Sequence, residues 1–295
     1  MKPSPFEYHR PETVEEVVKL LEDLPEAELM AGNQSLSIVM ANRLANPEHI
    51  VDINGVDELE YIDSDDDTIE VGALARHRDI EASPVLSEKY PVLSKSAGKI
   101  AGPVVRNRGT IGGSIGEADP AGNYPCVLVA MDGELELAST DGRRTVDAAD
   151  YFVAYMMTAI EEDELITAVR FPREPFPVPR SGMTFLVRKR AAQTWPTLSI
   201  ACAVRVDDPE ADEPVVEAAR IGLANAADVP LRVEDAESEV EGEPLSEGTL
   251  EAAGETAYDR VSPQDEMHAD ETYKRELSKE YTKRALQKAY DHATE

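Results

Sequence analysis

Apolar side chains recur at helical spacing near the start of the chain and form shorter, strand-like runs after it. In residues 11–24 they stand at positions 14, 17, 18, 20, 21 and 24, which predicts an amphipathic helix. Short apolar runs at 29–31 and 50–53 predict two strands, and residues 59–62 and 68–71 predict a hairpin through an acidic turn. The pattern therefore indicates a small α/β unit followed by a hairpin.

The rest of the chain alternates between helical and strand-like segments, then becomes helical. The predicted helices cover 75–82, 91–101, 148–159, 231–240, 245–259 and 271–292, and the predicted strands cover 127–131, 134–138, 165–171, 183–187, 198–206 and 215–223. Prolines at 172, 175, 177 and 179 indicate a linker. We expect one domain over 1–175, with subdomains of about 1–55 and 56–175, and an α+β domain over 180–292.

Two glycine-containing segments lie between these elements. Residues 106–125 carry glycines at 109, 112, 113, 116 and 122, with too few large apolar residues for a core element, which predicts a loop. Gly112 and Gly113 permit positive φ and lack Cβ atoms, so successive N–H groups could form an anion-binding nest. Residues 31–36 have a similar character, at a predicted strand end. Together the two segments could clamp a diphosphate, although each could also be an ordinary tight turn.

The form of the glycine segments narrows the choice of dinucleotide. Neither segment has the G-x-G-x-x-G pattern expected at the strand-to-helix turn of an NAD-binding unit, and the chain lacks a G-x-x-x-x-G-K-[ST] phosphate loop. If a diphosphate binds here, FAD is the favoured dinucleotide.

Three residue runs resemble one family of flavoproteins. Ala-Gly-Asn-Gln-Ser-Leu at 31–36, Thr-Ile-Gly-Gly-Ser at 110–114 and Ala-Asp-Pro-Ala at 118–121 resemble the FAD-binding medium subunit of the molybdenum hydroxylases. That family includes the flavoprotein parts of carbon monoxide dehydrogenase and xanthine dehydrogenase. The likeness continues at 47–53, 163–166, 171–172, 273–275 and 284–286. It implies a two-part FAD-binding region of the vanillyl-alcohol-oxidase type, followed by a C-terminal domain of an antiparallel sheet with helices.

The resemblance also implies which residues contact FAD. They are Ala31, Gly32, Asn33, Gln34, Ser35 and Leu36 in the first segment, Thr110, Ile111, Gly112, Gly113 and Ser114 in the second, and Ile100, Asp119, Asn123 and Ile166 elsewhere. Ile100 and Ile166 would line the flavin region, or else be plain core residues. Asp119 would cap a short helix or contact FAD.

The sequence departs from the family at three places. Asn33 stands where carbon monoxide dehydrogenase-type subunits have a second glycine, although the Gly-Asn form resembles xanthine dehydrogenases. Asn123 stands where the family often has an aspartate that reaches the cofactor. The lysine that the family often carries after an aromatic residue is absent after Phe185. Arg188 and Lys189 are the candidates to replace that lysine, or they form a solvated basic cluster.

The resemblance implies a three-component enzyme, assembled as a dimer of heterotrimers. A molybdenum-cofactor large subunit oxidises the substrate, a 2Fe-2S small subunit passes single electrons on, and the FAD of this chain delivers them to an external acceptor. No catalytic side chain is expected, because the isoalloxazine ring performs the redox chemistry. Two alternatives stay open: a self-contained FAD-dependent oxidoreductase, and a flavin-free assembly or scaffold subunit.

Composition excludes several classes of partner. The chain has 59 acidic and 29 basic residues, a formal net charge of -30 at pH 7, and 5% aromatic residues. This charge argues against nucleic acid and anionic membrane surfaces as partners. Because the acidic residues are spread along the whole chain, we interpret them as the solvated surface of a protein from a salt-rich cytoplasm, where screening is strong.

The remaining chemistry-bearing residues predict no metal centre. Cys126 and Cys202 lie in apolar runs and are expected to be buried free thiols, and a 2Fe-2S cluster needs about four ligands. Histidines 9, 49, 77, 268 and 292 show no metal-ligand spacing. No stretch approaches the roughly 18 apolar residues of a membrane span, and the first residues do not resemble a secretion signal. We expect a cytoplasmic protein.

Overall fold

The computed structural model describes residues 2–295 of the chain. Numbered in chain order, its strands are β1 (Glu7–His9), β2 (Glu28–Met30), β3 (His49–Asp52), β4 (Ile62–Ser64), β5 (Thr68–Gly72), β6 (Glu134–Ser139), β7 (Gly142–Asp147), β8 (Phe152–Ala154), β9 (Met157–Thr158), β10 (Leu165–Pro172), β11 (Ser181–Lys189), β12 (Pro196–Val206), β13 (Val216–Ala224) and β14 (Leu231–Arg232). Its helices are α1 (Val14–Asp23), α2 (Leu36–Ala41), α3 (His77–Ala82), α4 (Pro84–Lys89), α5 (Pro91–Ala97), α6 (Pro103–Arg106), α7 (Ile111–Glu117), α8 (Asn123–Ala130), α9 (Ala148–Tyr151), α10 (Glu234–Ser238), α11 (Glu247–Arg260) and α12 (Glu271–Thr294).

The strands form three main sheets that follow one another along the chain. The first is parallel, in the order β1-β3-β2, with Glu7 opposite His49 and Glu28 opposite Ile50. The second is antiparallel, in the order β4-β5-β10-β6-β7, and the third is antiparallel, in the order β11-β12-β13-β14. Strands β8 and β9 form a separate pair. The architecture is α+β, as the sequence predicts.

Helix α1 begins at Val14 because its capping and its apolar face both favour that start. The hydroxyl of Thr13 accepts a hydrogen bond from the backbone N–H of Glu16 at 3.2 Å, which satisfies one of the free donors at the helix end. The buried face of the helix packs against Val51 of β3 and Leu165 of β10. This packing confirms the predicted helix and joins the first sheet to the second.

The largest hydrophobic core lies between the second and third sheets. Helices α5, α7 and α8 fill it, together with Met183 and Phe185 from β11. Helix α8 lies very close to β13: the thiol of Cys126 donates to the carbonyl of Gly222 at 3.2 Å, and a Cβ atom at Gly222 would lie 2.4 Å from Cβ of Ala130. This core therefore spans the two predicted domains.

The predicted strand at 127–131 is wrong, because these residues belong to helix α8. Every residue of α8 except Val129 is buried, so the helix has no polar face and its apolar run could not be distinguished from a buried strand. The predicted helix at 148–159 is also largely wrong. Only α9 is helical there, and a turn at Met156, with φ of 51°, separates strands β8 and β9.

Three other element boundaries differ from the pattern. The first strand of the hairpin begins at Ile62, because residues 57–59 form a 3-10 turn. Helix α5 ends at Ala97 with Gly98 as its C-cap. The segment 231–240 contains β14 before the short helix α10.

Both cysteines are free and buried, as predicted. Burial raises the pKa of the Cys126 thiol to about 12, so the thiol stays protonated and unreactive. Within residues 2–295, no helix combines the length and the apolar character needed to cross a membrane.

Candidate functional site

The first glycine segment, residues 31–36, presents unpaired backbone donors. It connects β2 to α2, and Asn33 adopts the left-handed conformation with φ of 56°. The side-chain amide of Gln34 donates to the carbonyl of Gly32 at 2.8 Å, so this hydrogen bond stabilises the turn without using a backbone N–H group. The backbone N–H groups of residues 32–35 make no hydrogen bond within residues 2–295. Consecutive free N–H groups at a turn suit an anion.

The second glycine segment, residues 110–114, is the start of a helix and not the loop that the sequence predicts. Thr110 is the N-cap of α7, and its hydroxyl accepts from the N–H of Gly113 at 3.1 Å. The N–H groups of Ile111 and Gly112 donate to the carbonyls of Ala75 and Ala73. The predicted nest of free N–H groups at Gly112 and Gly113 is therefore wrong, and neither glycine has positive φ.

Glycine is required here because backbones pack closely. A Cβ atom at Gly32 would lie 2.3 Å from the carbonyl oxygen of Arg108, so the first segment lies directly against the chain that leads into the second. A Cβ atom at Gly112 would lie 2.7 Å from Cβ of Ala73. Gly113 and Gly116 instead face outward, one helical turn apart, and leave an open backbone surface on α7.

Asn54 and Arg76 connect the two glycine segments. The amide of Asn54 donates to the carbonyl of Ala31 at 2.7 Å, and Oδ1 of Asn54 accepts from the guanidinium of Arg76 at 2.7 Å. The same guanidinium donates to the carbonyl of Arg108 at 2.5 Å. Sequence reasoning missed both residues, since nothing in their sequence context indicates that they meet.

Ile166 and Ile100 differ in burial and in the elements that they contact. Ile166 is buried on β10, and its Cδ1 atom would lie 3.6 Å from a Cβ atom at Gly116, so it borders the open face of α7. Ile100 is half-buried against the main core, in the turn between α5 and α6.

The two predicted polar residues after α7 have structural partners. Helix capping was one of two alternatives for Asp119, the other being a contact with FAD, but its carboxylate accepts from the N–H of Ala121 at 2.8 Å within a turn, and the N-cap of α8 is Gly122. That prediction of capping is wrong. Burial raises the pKa of the Asp119 carboxyl. Asn123 is 5% exposed and donates to the carbonyl of Ser96 at 2.8 Å, which ties α8 to α5.

Of the two candidates for the missing lysine, Lys189 is the one that turns inward. Its Nζ atom donates to the carbonyl of Lys99, next to Ile100, whereas Arg188 is exposed. Burial lowers the pKa of the Lys189 ammonium, and the charges of Arg106 and Lys99 lower it further.

Glu117 is a second residue that sequence reasoning missed. It lies at the end of α7, close to Ser35 of the first segment, and burial raises the pKa of its carboxyl above the ordinary value. A hydrogen bond from Ser35 lowers this pKa, and the charge of Asp119 raises it. An anion bound at the first segment would therefore lie near a carboxyl whose pKa is raised above its ordinary value.

His77 contacts the residues that lead into the second segment. Its backbone N–H donates to the carbonyl of Gly109 at 3.0 Å, and its ring lies 5.3 Å from the ring of Tyr124. Burial lowers the pKa of the imidazole to about 4, and the charges of Arg76 and Arg106 act in the same direction. His77 is therefore neutral near pH 7 and serves packing.

Two other histidines meet across the first sheet, although 40 positions separate them in sequence. Nε2 of His9 and Nδ1 of His49 are 3.2 Å apart, and a carboxylate oxygen of Glu7 lies 3.7 Å from the latter. Ligand atoms of all three residues lie within 4.8 Å of one another, a grouping that linear spacing could not reveal. The imidazole contact links β1 to β3.

These features fit a dinucleotide that carries a diphosphate. The unpaired N–H groups of residues 32–35 are the donors that phosphate oxygens need. The exposed backbone of Gly113 and Gly116 lets a flat group approach α7 closely. The donors come from the first segment alone, and the second segment supplies the surface.

Comparison with known proteins gives the same result over nearly the whole chain. Residues 4–174 match the family model of the FAD binding domain in molybdopterin dehydrogenase, and residues 183–289 match the model of the CO dehydrogenase flavoprotein C-terminal domain. These matches confirm the resemblance and the predicted fold class. They also show that the chain contains an FAD-binding domain.

Individual relatives cover the chain from end to end. The carbon monoxide dehydrogenase medium chain of Hydrogenophaga pseudoflava is 35% identical, over 98% of this chain and 99% of its own. The nicotine 6-hydroxylase medium subunit of Paenarthrobacter nicotinovorans is 32% identical, over 98% of this chain and 99% of its own. A solved structure of carbon monoxide dehydrogenase from Hydrogenophaga pseudoflava matches with a TM-score of 0.93 and 35% identity, over 99% of both chains. The chain belongs to the family of FAD-binding medium subunits of molybdopterin dehydrogenases, and it is the flavoprotein subunit of an oxidoreductase.

Proposed function

We propose that this chain is the electron-transfer subunit of a three-component molybdenum hydroxylase. In that role a molybdenum-cofactor large subunit supplies electrons to a 2Fe-2S small subunit, which passes them singly to this chain. This chain then delivers them to an external acceptor. With Cys126 and Cys202 as its only cysteines, both buried, the chain has no ligand set for a cluster of its own. The observation that carries the proposal is the run of unpaired N–H groups at residues 32–35, beside the glycine face of α7.

The first segment would hold the diphosphate. The N–H groups of residues 32–35 donate to its oxygens, and the hydroxyls of Ser35 and Ser114 are the nearby side-chain donors. Ala31 and Leu36 bound this turn, and Thr110 fixes the start of α7 at Ile111. Because these donors belong to backbone held between β2 and α2, they are oriented before the cofactor arrives.

The apolar end of the site would hold the flavin ring. Ile166 borders the open face of α7, and Ile100 lies in the turn after α5, so the two side chains can exclude water from the ring. Asn123, held by Ser96, offers an amide in place of the carboxylate common in the family. FAD, when bound, supplies a group that exchanges one or two electrons, and the protein controls its position and its electrostatic surroundings.

The domain division and assembly belong to the same proposal. We infer an FAD-binding domain over residues 1–175, with subdomains of about 1–55 and 56–175, and a second domain over 180–292. The assembly would be a dimer of heterotrimers in a salt-rich cytoplasm. The net charge of -30 supports the salt-rich setting, because strong screening reduces self-repulsion.

Absorption spectroscopy with purified protein in high salt tests the proposal directly. We expect flavin bands, release of FAD on denaturation, and reduction of the flavin by substrate only after the two partner subunits are added. Reduction by a small-molecule substrate without partners would favour a self-contained oxidoreductase. A folded, colourless protein that takes up no added FAD would contradict the electron-transfer role and favour the flavin-free assembly or scaffold subunit.

A matched pair of variants locates the cofactor. Gly116→Val places a side chain on the open face of α7, where an added Cβ atom meets only Cδ1 of Ile166, at 3.6 Å, and it should abolish flavin binding. Gly248→Val is the control, since a Cβ atom at Gly248 meets nothing closer than 3.7 Å and the residue lies on α11, far along the chain. Equal flavin content in the two variants would contradict the proposed site.

A further inference from the structure

A groove of about 670 Å³ lies apart from the glycine segments, where α5, β11 and α12 meet. Its polar lining consists chiefly of Lys95 and Lys99 from α5 and the turn after it, Thr184 from β11, and Arg284 and Lys288 from α12. None of the residues of the two glycine segments lines it. We call this feature the basic groove.

The basic groove concentrates positive charge in a strongly acidic chain. Within residues 2–295, Lys95, Lys99 and Lys288 have no carboxylate oxygen within 4.0 Å, and Arg284 reaches only Glu280, at 3.6 Å. The one carboxylate in the lining, Glu81, already pairs with Arg106 at 2.7 Å. The three lysines of the groove therefore have no carboxylate partner within 4.0 Å in the described part of the chain.

Two lysines of the groove repel each other electrostatically. Burial lowers the pKa of the Lys95 ammonium, and the charge of Lys288 lowers it further, so the two ammonium groups repel each other. The Nζ atom of Lys95 is fixed by a 2.8 Å hydrogen bond to the carbonyl of Met183. An anion between these groups would relieve the repulsion.

A buried hydroxyl in the same groove lacks a partner. Thr184 is 1% exposed, lines the groove, and its Oγ1 atom makes no hydrogen bond within residues 2–295. An unsatisfied buried hydroxyl costs stability unless a ligand or water completes it. An anion oxygen bound in the groove would accept a hydrogen bond from the Thr184 hydroxyl and supply the missing partner.

We propose that the basic groove binds a small phosphate-bearing anion of the size of a nucleoside diphosphate. Several cations and one hydroxyl match multiple phosphate oxygens, and the volume lies in the usual range for small-ligand sites. Leu186, Val187 and Tyr281 supply an apolar wall for a ring. Since the cations come from both the FAD-binding part and the C-terminal part of the chain, the bound anion joins the two.

Calorimetric titration of the FAD-loaded, full-length protein tests this site, because the flavin then occupies the other phosphate-binding surface. ADP and pyrophosphate are the probes, at constant ionic strength. We expect saturable binding at one site for at least one of them. If ADP binds more tightly than pyrophosphate, the ligand of the groove is a nucleotide. If the two affinities are equal, the ligand is a free polyphosphate. No saturable heat with either probe overturns the proposal.

Charge reversal separates the groove from general electrostatics. Lys99→Glu with Lys288→Glu should weaken binding at least tenfold. Lys2→Glu with Lys19→Glu makes the same change in net charge at exposed sites outside the groove and should leave affinity within twofold. An equal loss in both double variants, or no loss in either, overturns the proposal.

A milder variant guards against misfolding of the charge reversal. Thr184→Val removes only the hydroxyl and should lower affinity for the probe severalfold, while the flavin spectrum stays unchanged. Unchanged affinity would show that the hydroxyl does not face the anion and would also contradict the proposed geometry.

Discussion

The guanidinium of Arg76 donates a 2.7 Å hydrogen bond to Oδ1 of Asn54, and this bond joins the supports of the two glycine segments. Asn54 also donates to the carbonyl of Ala31, and Arg76 also donates to the carbonyl of Arg108. The spacing between the diphosphate donors and helix α7 thus depends on two side chains that need not touch the cofactor.

Asn54→Ala should therefore weaken FAD binding without removing a cofactor contact. The loss of these hydrogen bonds releases the carbonyl of Ala31 and leaves Arg76 with one partner, so affinity should fall by roughly tenfold, equivalent to about 1.4 kcal/mol. Flavin fluorescence titration of the apoprotein measures the change. Ser35→Ala, which removes a proposed direct donor, provides the comparison. Wild-type affinity in Asn54→Ala would show that the connection does not position the site.

Two glycines of α7 should respond differently to the same substitution. Gly112→Ala places a Cβ atom 2.7 Å from Cβ of Ala73 and should destabilise the fold by about 1–3 kcal/mol, through overpacking. Gly116→Ala faces outward, and its Cβ atom would meet only Cδ1 of Ile166, at 3.6 Å, so it should lower FAD affinity while changing stability by less than about 1 kcal/mol. Urea unfolding and flavin titration of both variants check this. The reverse assignment of effects would mean that α7 presents its other face to the cofactor.

FAD affinity should fall as pH rises, because of Glu117. Burial raises the pKa of this carboxyl, and its ionised form would repel a diphosphate bound at the nearby first segment. Protonated Glu117 should accordingly favour binding, so affinity is highest at the acidic end of the stable range. Glu117→Gln should bind more tightly at pH 8 and show a flatter pH profile in fluorescence titration. A variant profile parallel to that of the wild type would exclude Glu117 as the source.

His77 should make the free energy of unfolding depend on pH between about 6.5 and 4. The imidazole pKa is lowered from 6.5 to about 4 in the folded protein, so the unfolded chain binds an additional proton in this interval. Stability is then retained above pH 6.5 and lost as pH falls, by up to about 3 kcal/mol. Urea unfolding of wild type and His77→Gln, compared across this interval, isolates the contribution, because the other titrating groups are common to both. Parallel curves would contradict the lowered pKa.

Patterns along the chain predicted helix α1 and strands β11 to β13, but not helix α8. Helix α1 has one buried face and an N-cap threonine, so spacing and capping both identify it. Strands β11 to β13 appeared as separate apolar runs of suitable length. Helix α8 is buried on nearly all sides, and a residue pattern without a polar face does not distinguish a helix from a strand.

For the candidate site, too, some features follow from the sequence and others only from the tertiary structure. The sequence by itself determined the family, the two glycine segments and FAD as the cofactor, because glycines and small hydroxyl residues in a fixed order mark places where backbone must approach a ligand or another backbone. Only the tertiary structure decided which segment has free donors, since Gly112 is paired with Ala73 across 39 positions. It also brought Asn54 to Arg76, and Lys95 to Lys288. A hydrogen bond or a charge cluster depends on distance in space, which a linear pattern does not contain until the sheets and helices have packed.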